Sequence, residues 1–217
     1  ANHVIHFKNL VIKFSTMLSI IALGIPAFLL QISNSVLVFV LNKQLLTYGG
    51  DIAVSGMGVI NSIQTLLLMP VIGLNQGVQP IISYNFGAKQ FNRIKVAERI
   101  AIFYATMIVL TGWIATRLFP EALVSLFNQE PELIAFGSYG LVTWFWCMPL
   151  VGFQIIASNF FQAIGKPNSA MVLTLTRQVI LLLPAVYFFS SYWGLDGILY
   201  AAPFADILSV LITGAWY

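Results

Sequence analysis

The feature that most constrains this chain is a succession of six long apolar runs, each close to or beyond the ~20 residues that one helical crossing of a bilayer requires. They cover roughly Met17–Leu41, Val54–Tyr84, Ile100–Phe119, Leu133–Ile164, Ala170–Phe189 and Gly197–Tyr217. Only 8% of the residues are charged and 59% are apolar, whereas soluble domains carry roughly 25% charge. Lipid removes the need for a charged exterior, provided that every backbone polar group is satisfied internally. Helices and closed barrels meet that condition. Barrels need short alternating strands, and Ile180-Leu-Leu-Leu-Pro-Ala-Val-Tyr-Phe-Phe189 does not alternate. The sequence therefore predicts an all-α polytopic membrane protein. A six-helix transmembrane bundle spans residues 17–217, and residues 1–16 form an amphipathic arm in which Phe7, Leu10, Val11 and Phe14 interleave with Lys8 and Lys13.

Loop charge orients the bundle. Lys8, Lys13, Lys89, Arg93, Lys95, Arg99 and Lys166 fall on one side. The other side has Lys43 and Arg117, with Asp51, Glu121, Glu130, Glu132 and Asp196. The positive-inside rule places the arm, the Lys89–Arg99 loop, the loop bearing Lys166 and both ends in the cytoplasm. A net charge of +3 is too small to indicate a nucleic-acid partner. The chain opens without Met and stops inside an apolar run, as expected of a fragment or lobe.

Prolines are placed inside the runs: Pro26, Pro70, Pro80, Pro149, Pro184 and Pro203. Internal proline removes a helical hydrogen bond and bends the helix, so the expectation is a bundle of bent helices around a cavity. Polar residues recur at helical spacing. Gln31, Asn34 and Ser35 share one face, Asn61, Gln64 and Thr65 a second, and Gln154, Ser158 and Gln162 a third. Amides facing lipid cost several kcal/mol, so these stripes are expected to face one another or water. Two readings stand: a hydrated cavity for a polar or cationic organic solute, or hydrogen bonds that hold helices together.

Two ionisable groups lie deep. Arg177 is the eighth residue of the fifth run and Asp206 the tenth of the sixth. Side chains lean toward helix N-termini, which carries Arg177 inward and Asp206 outward and argues against a direct pair. Asp206 reads as a coupling or gating carboxylate or as a structural acceptor. Arg177 reads as cavity-lining or as snorkelling to the interface. Enzyme signatures are missing. Cys147 is the single cysteine, His3 and His6 have no acidic or cysteine neighbours, and no Gly-rich loop precedes a Lys-Ser/Thr pair. No catalytic, metal or cofactor site is predicted.

Several stretches carry a resemblance: Met69-Pro-Val-Ile-Gly-Leu-Asn-Gln-Gly-Val-Gln-Pro-Ile-Ile-Ser-Tyr-Asn-Phe-Gly-Ala-Lys89, Phe160-Phe-Gln-Ala-Ile-Gly-Lys-Pro167, Arg177-Gln-Val-Ile-Leu-Leu-Leu-Pro184 and Ala202-Pro-Phe-Ala-Asp-Ile-Leu208. Together they resemble the C-terminal lobe, helices 7–12, of the multidrug and toxic compound extrusion (MATE) family, in its DinF-like bacterial branch. The resemblance implies one lobe of a twelve-helix antiporter that exports cationic lipophilic compounds in exchange for H+ or Na+. It also implies a partner: the N-terminal lobe or a second copy of this one. The Norm-like branch carries a cation-binding Glu eight residues after the proline of the first helix, and a second acid on the fourth. Here those positions are Asn34 and, nearly, Val151, so the resemblance puts the coupling acid in the other lobe. The alternatives are a lipid-linked oligosaccharide flippase of the same superfamily and a structural, self-associating six-helix domain.

Overall fold

The computed structural model describes residues 14–165 and 167–216. His3, His6, Lys8, Lys13, Lys166 and Tyr217 lie outside them. Among the described residues the architecture is wholly helical. The first helical run, Phe14–Gly87, is broken at Gly50 into α1 (14–49) and α2 (51–87). There follow α3 (Phe91–Leu118), a short α4 (Pro120–Ser125), α5 (Pro131–Trp144), α6 (Met148–Ala163) and α7 (Pro167–Leu175). A π-helical segment, Thr176–Leu182, leads into Leu183–Trp216, which is broken at Gly194 into α8 (183–193) and α9 (195–216).

Length turns these runs into six crossings. The apolar stretch Gly24–Gly87 has 64 residues and would reach about 96 Å if straight, three times the ~30 Å hydrocarbon core. Asn168–Ala215, with 48 residues, has the same problem. Each is divided by one glycine into two crossings. The α3 helix supplies a fifth span, and α5 with α6, bent by 55° across residues 145–147, supplies the sixth. Large apolar side chains such as Phe39, Phe103, Phe188 and Leu211 stand exposed on the outside of the bundle, the pattern that lipid permits. A core of Leu45, Met57, Ile60, Leu141, Ile198 and Leu199 fills its centre.

The sequence predicts turns of several residues at 48–51 and 193–197. The structure narrows each to a single glycine: φ is 64° with ψ −161° at Gly50, and φ is 59° with ψ −129° at Gly194. These dihedrals are closed to L side chains, so one residue reverses the chain and the flanking helices keep their hydrogen bonds up to it. The two reversals meet at one end of the bundle, where Leu195 packs on Gly49 and Tyr48 lies against Gly194. At the other end, Ser83 Oγ donates to the Ala163 carbonyl at 2.8 Å, beside a small cluster of Ile82, Ile94 and Ala163.

The backbone breaks do not fall at the prolines within the runs. Dihedrals stay helical through Pro26, Pro70, Pro80 and Pro203. The sharp bend of the fourth span falls at residues 145–147, ahead of Pro149, which becomes the second residue of α6. There its missing N–H costs nothing, since first-turn donors have no partner within the helix.

Gly50→Ala is expected to cost about 1–3 kcal/mol, because nothing crowds the site and only the dihedral is strained. Gly58→Ala, in open helix, is expected to be neutral or slightly stabilising. Thermal unfolding of the two variants in detergent micelles measures the difference.

Candidate functional site

A polar cavity of about 300 Å³ opens between α1, α6 and α7. Two of its walls come from sequence-predicted residues. Gln154, Ser158 and Gln162 stand at i, i+4 and i+8 on α6, so one face of that helix presents all of them. Arg177, one residue into the π segment, lines the cavity from the opposite helix, with Thr174 one turn before it. Pro26, Ala27 and Leu30 of α1 complete it with apolar surface. Gln154 is 5% exposed and its amide oxygen has no hydrogen-bond partner among the described residues. An unmet buried acceptor costs about 1–3 kcal/mol, so the cavity holds unused polar capacity.

The remaining candidates are placed elsewhere. Gln31 and Asn34 lie on an exposed face of α1 and do not line the cavity. Asn61 is exposed and Gln64 half-buried on α2, also away from it. The expectation that the stripes converge on one cavity is therefore corrected: the α6 stripe reaches it and the α1 and α2 stripes do not. Their hydroxyl members are satisfied locally. Ser35 donates to the Gln31 carbonyl at 3.0 Å and Thr65 to the Asn61 carbonyl at 2.8 Å, the back-bonding that hydroxyls adopt inside helices.

The expectation against a direct Arg177–Asp206 pair is also corrected. Arg177 Nε donates to Asp206 Oδ1 at 2.7 Å, and Nη2 lies 2.6 Å from the same oxygen. Asp206 is 4% exposed, whereas the Arg177 side chain keeps 23% of its surface open. The argument from side-chain lean assumed a regular α-helix around Arg177. The π segment Thr176–Leu182 widens the turn there and redirects the residue, and the long arginine stem covers the difference in depth. Two charges at membrane depth are thus held as one neutral unit whose positive partner faces the polar cavity.

A second, larger cavity of about 740 Å³ lies between α5, α8 and α9 and shares no lining residue with the first. It is walled by Trp146, Phe189, Trp193, Tyr200 and Phe204, and Asp196 also lines it. The sequence reading missed it. The available signal was the face Asp196, Tyr200, Pro203, Phe204 and Ile207 of α9, which follows helical spacing but reads as an ordinary apolar stripe.

Known proteins share this architecture. The MatE family model matches residues 26–188. The chain is 35% identical to the MATE multidrug transporter DinF-BH, whose structure was solved as a complex with a ligand. It superposes with a TM-score of 0.84, covering 98% of this chain and 48% of that one. Among curated proteins it is 24% identical over 196 residues to the multidrug export protein MepA of Staphylococcus haemolyticus, covering 90% of this chain and 43% of the relative. It is 27% identical over 183 residues to an FAD transporter of Shewanella oneidensis, covering 84% and 40%. The chain spans less than half the length of these relatives. A family match over most of the chain, six apolar crossings and a shared fold converge: this chain belongs to the MATE family of multi-pass membrane transporters and forms one six-helix lobe of that architecture.

Proposed function

We propose that this lobe is the C-terminal half of a secondary active multidrug antiporter that exports cationic lipophilic compounds in exchange for H+ or Na+, without a bound cofactor. The observation that carries the reading is the polar cavity in which Gln154, Ser158, Gln162 and Arg177 converge. Such a chamber, walled by a proline-bearing helix, suits a two-lobed transporter that alternates access around a central site. Multidrug export by MepA supports the substrate class. The cavity offers one guanidinium, already neutralised by Asp206, which is poor chemistry for a pyrophosphate headgroup and disfavours the flippase alternative.

The exposed amide faces of α1 and α2, bearing Gln31, Asn34, Asn61 and Gln64, suit contact with the N-terminal lobe or a second copy of this one. The basic Lys89–Arg99 stretch supports a cytoplasmic location for that end in a bacterial inner membrane. The test is efflux of a fluorescent organic cation from vesicles containing a protein with this lobe. An imposed H+ or Na+ gradient is expected to drive efflux, and Ser158→Phe, which fills the cavity, to stop it. Absence of gradient-driven efflux would refute the antiporter reading. Efflux unchanged by Ser158→Phe would remove this cavity from the transport path.

A further inference from the structure

An amphipathic groove of about 520 Å³ runs between the end of α2 and the start of α3. One wall is a stripe of α3: Arg93, Val96, Ala97 and Ile100 stand at i, i+3, i+4 and i+7 and share one face. The other wall is Val78 and Ile81 of α2. The large apolar residues Ile81, Val96 and Ile100 are exposed, so the groove opens on the outside of the bundle. A tight turn joins the two walls and fixes their spacing. Gln90 N–H donates to the Asn85 carbonyl at 2.8 Å and Lys89 N–H to the Phe86 carbonyl at 3.1 Å, with Lys89 at φ 57° in the left-handed position that glycine usually fills. Because the chain turns back here, Asn92 and Arg93 stand at the mouth of the groove and Val78 and Ile100 at its far end. Charge around the mouth has one sign. Lys89, Lys95 and Arg99 are exposed in the same stretch, the first turn of α3 holds no acid, and Glu98 is buried and does not line the groove.

We propose that this groove is a binding site for an anionic phospholipid, with its phosphate against Arg93 and Asn92 and the upper part of an acyl chain along the apolar walls. The depths match. The 28 residues of α3 reach about 42 Å, longer than the ~30 Å hydrocarbon core. Its first turns, with Arg93, therefore emerge at the level of the headgroups while Ile100 lies among the chains. Side chains lean toward the helix N-terminus, which carries the guanidinium further toward the headgroups. Arginine grips phosphate oxygens with two parallel N–H donors, and basic pockets between membrane helices hold anionic headgroups. Any apolar helix face is wetted by lipid, but here a concave apolar slot and a guanidinium share one stripe. A zwitterionic headgroup would bring its ammonium into the same basic surroundings, so the charge selects a lipid of net negative charge. The groove shares no lining residue with either cavity, and the proposal stands independently of the transport reading.

The experiment is native mass spectrometry of the protein carrying this lobe, released from detergent micelles after titration with phosphatidylglycerol or, in parallel, with phosphatidylcholine of the same chains. Phosphatidylglycerol is expected to bind roughly fivefold more tightly, and Arg93→Gln to remove most of that preference. Lys95→Gln removes the same charge outside the groove and is expected to leave the preference in place. Val96→Trp, which fills the apolar length, is expected to lower phosphatidylglycerol occupancy with the charge intact. Equal affinity for the two lipids overturns the proposal. A preference unmoved by Arg93→Gln overturns the headgroup contact, and one lost equally in Lys95→Gln is diffuse attraction and overturns the groove. Displacement of the lipid by millimolar inorganic phosphate overturns the lipid class in favour of a free anion. Arg93 and Lys95 are both exposed, so neither charge variant disturbs the packed core, and the pair decides even if Val96→Trp fails to fold.

Discussion

Asp206→Ala is expected to destabilise the protein by about 3–5 kcal/mol, because it leaves the Arg177 guanidinium without its partner at membrane depth. Arg177→Ala should be similarly damaging, since Asp206 is the more buried of the two. The paired replacement Arg177→Met with Asp206→Leu is expected to recover most of that loss. Charges that are desolvated together often contribute little beyond an apolar pair of the same volume, and the damage comes from orphaning one of them. Thermal unfolding of the two single variants and the double variant in one detergent measures this. A double variant as unstable as either single one would show that both groups have further obligatory partners. Transport separates stability from function: if Asp206→Asn transports with an unaltered pH profile, the carboxylate is a structural acceptor and not a coupling group.

The second large effect is expected at Gly197. A Cβ there would collide with the carbonyl carbon and oxygen of Phe189. The obstacle is backbone, so relief requires α8 to shift bodily against α9, and Gly197→Ala is expected to cost about 3 kcal/mol or more. Gly112 offers the contrast. Its Cβ would meet the Leu67 side chain at 2.6 Å, and leucine can change rotamer, so Gly112→Ala should cost nearer ~1 kcal/mol. Equal losses at the two positions, by the same unfolding measurement, would mean that the α8–α9 reversal yields more easily than its contacts imply.

The helix count and the fold class were legible because they follow from hydropathy over ~20-residue windows, and bilayer thickness sets that window physically. The α6 stripe was legible for a similar reason: Gln154, Ser158 and Gln162 share a face at regular spacing, and α6 is regular. The α1 and α2 stripes were equally visible as periodicity. Their destination was not, because one helix's spacing does not say which neighbour it faces. The Arg177–Asp206 pair was misjudged where regularity failed, since nothing in Thr176-Arg-Gln-Val-Ile-Leu-Leu182 announces a π-helix. The breaks fell at Gly50 and Gly194, inside the expected turns, while the dihedrals at Pro26, Pro70, Pro80 and Pro203 stay helical. Proline only removes one donor, which neighbouring groups in a membrane helix can compensate. Glycine at positive φ reverses the chain. The aromatic cavity stayed hidden because its walls come from α5, α8 and α9, and only folding assembles them.

The π segment has a further geometric consequence. Counted at 3.6 residues per turn, the direction of Thr174 and Arg177 lies about 120° from that of Leu182, Val186 and Phe189. A regular helix would therefore point the cavity-facing side chains and the core-facing ones at different neighbours. One residue of extra backbone rotates everything beyond it back by about 100°, nearly cancelling the offset. The insertion acts as a phase corrector. It lets a single rod present Thr174 and Arg177 to a polar chamber in its first half and Leu182 and Val186 to the packed interior in its second. The same rod then continues to a rim of aromatic rings. The salt bridge fastens the rod one residue into the insertion, so the corrected phase and the charge pairing hold each other in place.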